Sequence, residues 1–110
     1  MGFATSIGEL MMLVGREYDL NQEQLFLKSK IAYLGNQVSA LTFQRDTNPN
    51  SAISKAIHAQ IRSLSSTEKL LDMKVNIIDK QLRSIENQKQ AASQRADKGA
   101  QTFGLGGGGQ

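Results

Sequence analysis

Apolar residues return at helical intervals along most of the chain. Leu27, Ile31, Leu34, Val38 and Leu41 step by 4, 3, 4 and 3, the single stripe of an amphipathic helix. Phe26, Tyr33 and Phe43 lie beside that stripe and widen it. The second half carries the stronger signal. Ile57, Leu64, Leu71, Ile78 and Ile85 recur every seven residues, and Ile61, Val75 and Leu82 fill the other seam position. Glu68 interrupts the seam and Lys89 ends it. Heptads sustained this long predict a helix packed along a seam. Leu70, Met73 and Ile77 fall off the seam. They make the apolar face broader than a two-stranded coiled coil requires, which suits a bundle or a filament. A helix over residues 51–96 would be about 70 Å long.

One clear punctuation mark separates the two patterns, Asp46-Thr47-Asn48-Pro49-Asn50-Ser51. The residue before a proline is pushed out of helical geometry. Proline is accepted at the first helical position, with Asn48 or a neighbour as the cap. A turn at 45–50 follows. Upstream, Ser6 and Glu9 have the spacing of a capping box, followed by Leu10, Met11, Leu13 and Val14. Gly15, Asp19 and Asn21 weaken the pattern, and Asn21 with Gln24 offers a second cap, so a break near 15–21 and an unbroken helix both fit. Gly35 offers close approach of a neighbour or marks an ordinary weak point. Ser63, Ser65, Ser66 and Thr67 mark a weak stretch beside Glu68. After Ala96 the pattern fades into Gly104-Leu105-Gly106-Gly107-Gly108-Gly109-Gln110, a composition that makes flexible linkers.

The expected fold is therefore all-α: a long helical hairpin over residues 21–96 with its turn at 45–50. An N-terminal helical segment over 1–20 precedes it, either a short extra helix or part of the first. A flexible Gly-rich tail over 97–110 follows, in which Phe103 and Leu105 are isolated apolar residues.

Composition narrows what this hairpin can do. The chain has 110 residues, no Cys, no Trp, one His and one Pro. Without Cys there is no disulfide, thiolate site or thiol nucleophile. With His58 alone, a multi-histidine metal site within one chain is excluded. Apolar residues are 39% and aromatics 5%, a lean supply for a chain too short to bury a large fraction of its surface alone. Association would compensate.

The net charge of +3 is uneven. Residues 1–49 hold four bases and five acids, whereas residues 50–110 hold nine bases and five acids. Lys69, Lys74, Lys80, Arg83 and Lys89 could follow phosphates. They alternate with Glu68, Asp72, Asp79 and Glu86, the pattern of a solvated helix face. No aromatic lies between Gln44 and Thr102 to stack on bases, so nucleic acid is not the favoured partner.

No catalytic constellation is present. His58 has no partner in the pattern, and a general base needs both partner and pocket. The glycines at 106–109 lack the Lys-Ser/Thr of a phosphate loop. The acids lack calcium-loop spacing, and the methionines read as packing residues. No catalytic residue, cofactor site or metal site is expected. No stretch approaches the length needed to span a bilayer. Ile7–Val14 is apolar but contains Glu9 and has no preceding base, which makes a poor secretory signal. The opening Met1-Gly2-Phe3-Ala4-Thr5-Ser6 meets the loose myristoylation pattern, which is common by chance. Residence in the cytoplasm and export without a cleavable signal both fit.

The Asn48-Pro49-Asn50 turn between two apolar stripes, over about residues 20–90, resembles the helical-hairpin subunits of type III secretion needles and inner rods. That resemblance implies assembly into filaments through long helix–helix seams. The opening Met1-Gly2-Phe3 and the segment Lys98-Gly99-Ala100-Gln101-Thr102-Phe103-Gly104 resemble small helical proteins of gut-associated, non-photosynthetic cyanobacteria, which implies no site residues. The expected function is that of a non-enzymatic structural protein, a repeated subunit of a filament, tube or secretion-linked assembly. Its expected interface is Leu27, Ile31, Leu34, Val38 and Leu41 with Ile57, Ile61, Leu64, Leu71, Val75, Ile78, Leu82 and Ile85. The alternatives are a helical binding module that captures a partner helix, as a chaperone or adaptor does, and a weakly basic nucleic-acid-associated protein.

Overall fold

A computed structural model describes residues 3–103, with side chains described through residue 99. Two helices form an antiparallel hairpin: α1 (Phe3–Thr47) and α2 (Ser51–Phe103). The expected all-α hairpin is what the chain forms. The last residues of the Gly-rich tail, 104–110, and the side chain of Phe103 lie outside the described residues.

Both helices bury one line of positions spaced alternately 3 and 4 residues apart. On α2 the line runs Ser54, Ile57, Ile61, Leu64, Glu68, Leu71, Val75, Ile78, Leu82, Ile85, Lys89, Ala92, Ala96 and Gly99, all buried or half-buried. On α1 it starts at Ser6 and Leu10 and passes through five leucines seven residues apart, Leu13, Leu20, Leu27, Leu34 and Leu41. A spacing of 3.5 keeps such a line on its neighbour, whereas the 3.6 of a straight helix drifts away. This is why α1 stays continuous through Gly15–Asn21. Leu13 and Leu20 carry the leucine line across that stretch, and their burial outweighs the roughly 1 kcal/mol that a helical glycine costs.

The chain divides into two compact units: Met1–Gln22 with Asp79–Gln110, and Glu23–Ile78. The second unit contains the turn. Asn50, not Pro49 or Asn48, is the helix cap: its Oδ1 accepts from the backbone N–H of Ala52 at 2.9 Å and of Ile53 at 3.2 Å. Pro49 stands one residue before the cap, outside the helix. Asn48 Oδ1 accepts from the N–H of Asn50 at 2.9 Å, an Asx turn. The Ser54 hydroxyl donates to Arg45 O at 3.1 Å, satisfying a carbonyl that the end of α1 leaves free. Arg45 also places positive charge on the last turn of α1, where the helix dipole favours it.

Glu68 does not break the seam in this unit. Its carboxylate lies over Gly35, with Oε2 3.5 Å from where a Cβ would sit. The group that approaches Gly35 is thus a carboxylate, not a backbone, and a Cβ there would meet it at ordinary van der Waals distance. Gln24, buried in the α1 line, reaches Val75 O at 3.5 Å. It is a seam residue and not a second cap. The Ser-rich stretch stays helical, with Thr67 Oγ1 donating to Ser63 O at 3.1 Å.

In the first unit Lys89 does not end the seam either. Its Nζ donates to Glu17 Oε1 at 2.9 Å, joining the charged seam positions of the two helices. Beyond it the α2 line continues in small residues, Ala92, Ala96 and Gly99. A Cβ on Gly99 would stand 2.9 Å from Phe3 Cβ and 3.0 Å from Phe3 Cα, so the two backbones nearly touch there. Small seam residues allow that approach, and helix α2 therefore extends past the expected end at 96. The approach also explains Ser6. With α1 starting at Phe3, Ser6 is not a cap but a seam residue, 1% exposed. Glu9, freed from any capping box, accepts from Arg95 Nη2.

Two outcomes follow. Asn50→Ala removes both cap hydrogen bonds and should lower stability by about 1 kcal/mol, read as a lower melting temperature with helicity retained at 20–25 °C. The Glu17 carboxylate raises the pKa of Lys89 above the usual lysine value, chiefly through the hydrogen bond. The pair therefore stabilises fully below the ordinary lysine pKa and is lost as pH rises through the raised value. The melting temperature should fall over that alkaline window in the native chain and fall less in Lys89→Met. Equal alkaline slopes would remove the pair from the account.

Candidate interaction surface

The thirteen residues expected to form the interface all lie on the hairpin's internal seam. Leu27, Leu34, Ile57, Ile61, Leu71, Val75, Ile78 and Ile85 are buried, and Ile31, Val38, Leu41, Leu64 and Leu82 are half-buried. A single chain already covers them. The seam residues that spacing alone did not single out are the small or polar ones: Ser6, Gln24, Ala92 and Ala96. Extending the 3–4 alternation through polar positions would have found them.

What remains open is the outside of the helices. Among the described residues, fourteen large hydrophobic side chains are exposed, ten of them on α1. The three aromatics expected to widen the internal stripe, Phe26, Tyr33 and Phe43, are among these, at 65%, 60% and 70% exposure. They are too far around the helix from the leucine line to reach α2.

In the first unit α1 carries a second line, Ala4, Ile7, Met11, Val14 and Tyr18, again spaced 3, 4, 3 and 4. From Phe3 to Gly15 the one charged residue is Glu9, which Arg95 holds. Gly8 and Gly15 interrupt the surface, and nothing lies within 4 Å of where their Cβ atoms would be. A groove of about 540 Å³ beside Gly8 is lined by Thr5, Ser6, Glu9, Met12 and Arg95. This unit contains six bases and six acids, a net charge of zero.

The second unit differs. It contains seven bases and four acids, net +3. Leu25, Phe26, Tyr33 and Phe43 stand out from α1, and Leu70, Met73 and Ile77 from α2. Lys55, Arg62 and Lys69 form a line with seven-residue spacing. A groove of about 490 Å³ runs past Gln37, Ala40, Leu41, Gln60, Ser63 and Leu64.

His58 is engaged at the turn, where Arg45 Nη1 lies 2.9 Å from Nδ1. A guanidinium only donates, so in this hydrogen bond Nδ1 is the acceptor. No cluster of three metal-ligating side chains occurs among the described residues. No described helix is long and apolar enough to cross a membrane. Comparison with known proteins finds no matching family model, no matching curated protein and no matching solved structure.

Proposed function

We propose that this protein is a non-enzymatic structural subunit that associates with further copies of itself through the outer faces of its helices. One observation carries the reading: among the described residues, fourteen large hydrophobic side chains remain exposed after the hairpin has closed its own seam. Exposed apolar residues scattered singly are ordinary, but contiguous apolar faces at this density mark interaction surfaces. They occur in both compact units, so one copy offers more than one patch. A repeated assembly needs at least two, whereas a closed dimer needs one. Filament, tube and secretion-linked assemblies are all consistent with such a subunit. A face with 3–4 spacing would equally hold the apolar side of a partner helix, and that binding-module reading is the one to which a stable monomer would lead.

Charged substitutions in the internal seam do not test this. Leu71→Asp puts a charge at a buried position and unfolds the hairpin itself. Outer-face substitutions do. The mass of the native protein, followed by light scattering with negative-stain images, should grow with concentration. Phe26→Glu with Tyr33→Glu should reduce that growth while changing the melting temperature of the dilute protein little, since exposed substitutions usually shift stability by within about 0.5 kcal/mol. A native chain that stays monomeric at all concentrations overturns the proposal.

A further inference from the structure

The outer face of α1 in the first unit carries bulky residues along one edge and glycines along the other. At 100° per residue, Ala4, Met11 and Tyr18 fall on one line of the helix. Ile7 and Val14 stand along one edge of that line, and Gly8 and Gly15 along the other. Each glycine follows its bulky neighbour by one residue, so knob and hole lie at nearly the same height, about 1.5 Å apart along the axis. The space over both glycines is empty within 4 Å.

We infer that a second copy of this chain docks on this face, α1 against α1, in parallel about a two-fold axis that runs along Met11. This pairing rests on the reading of the chain as self-associating, and gives that association a place and a geometry. A parallel two-fold sets the bulky edge of one copy against the glycine edge of the other. Ile7 then enters the hole over the partner's Gly8, and Val14 the hole over the partner's Gly15. The same patch supplies both halves of the match, as a two-fold interface requires. An antiparallel pairing would instead set bulky edge on bulky edge.

The charges favour the same occupant. The face is uncharged from Phe3 to Gly15 apart from the engaged Glu9, and the unit around it has no net charge. Two copies approach without the repulsion that a net charge brings. An anionic membrane surface would find no excess of bases here. The seam spacing of 3.5 on this second line matches that of a helix bearing the same line.

Two experiments separate this inference from the broader one. Gly8→Ala with Gly15→Ala fills both holes. In a dilute, monomeric sample the variant should melt at a higher temperature, because alanine favours helix over glycine and its Cβ enters open space. Its dimer dissociation constant, measured by sedimentation, should nevertheless rise at least tenfold. Because the native chain has no Cys, Ala4→Cys, Met11→Cys and Tyr18→Cys each give a single-thiol probe. Mild oxidation should join copies at all three positions. A dimer unaffected by the two alanines overturns the inference. So do cross-links at Met11→Cys without those at Ala4→Cys and Tyr18→Cys, the antiparallel outcome. If copies associate yet behave in either of those ways, the face is wrong and the structural-subunit reading stands. If the native chain is monomeric throughout, both fail.

Discussion

Everything in this hairpin depends on keeping one stripe of each helix against the other. Helix α1 has 45 residues and α2 has 53, far too long for a 3.6-residue repeat to stay in contact. The alternation of 3 and 4 solves that geometry, but it creates a second difficulty. A seam of repeated leucines looks much the same to a partner slipped by seven residues. The polar seam positions remove that degeneracy. Glu17 meets Lys89, and Glu68 lies over the space that Gly35 leaves. A seven-residue slip would place Glu17 opposite an apolar layer near Leu82 or Ala96. Either slip would leave a partly exposed carboxylate and ammonium without each other.

The same positions explain the differing character of the two units. In the unit with the turn, large side chains fill the space between helices, and Asn50, Asn48 and Ser54 satisfy the backbone groups that helix ends leave free. In the other unit Leu13 and Ile85 are the most deeply buried large side chains, and beyond them the seam narrows to Ser6, Ala92, Ala96 and Gly99, where the backbones come together at Phe3. Dispersion between close backbones adds to side-chain burial at that end.

Closing the seam from within leaves α1 with an unusual surface. Its inward line consumes the leucines, yet Met11, Met12, Val14, Tyr18, Leu25 and Phe26 still face outward. These residues interrupt the polar outer face of α1 that a one-sided amphipathic helix would show. Helix α2 is closer to the ordinary one-sided pattern, with four exposed large hydrophobics among the described residues. The asymmetry between the helices gives the outer face of α1 its part in the proposed assembly.

The sequence by itself determined the helical class, the turn and the apolar part of the seam line, because helical periodicity and the Asn-Pro-Asn break are local properties written in residue order; the continuity of α1 through Gly15–Asn21 and the polar seam positions were not legible in it. Ile57 through Ile85 at seven-residue spacing could be little else. What it could not determine was which apolar residues meet within the chain. The thirteen seam residues read equally well as contacts between chains, since a 3.5-residue stripe does not record whose helix lies on it. Tertiary structure decided that by folding α2 back on α1. It also gave Glu68, Lys89 and Ser6 their meaning, because a polar seam residue is an interruption until the partner across from it is known. Phe26, Tyr33 and Phe43 were moved from core to surface for the same reason: the direction of the neighbouring helix, not hydrophobicity alone, decides which face of α1 is inside.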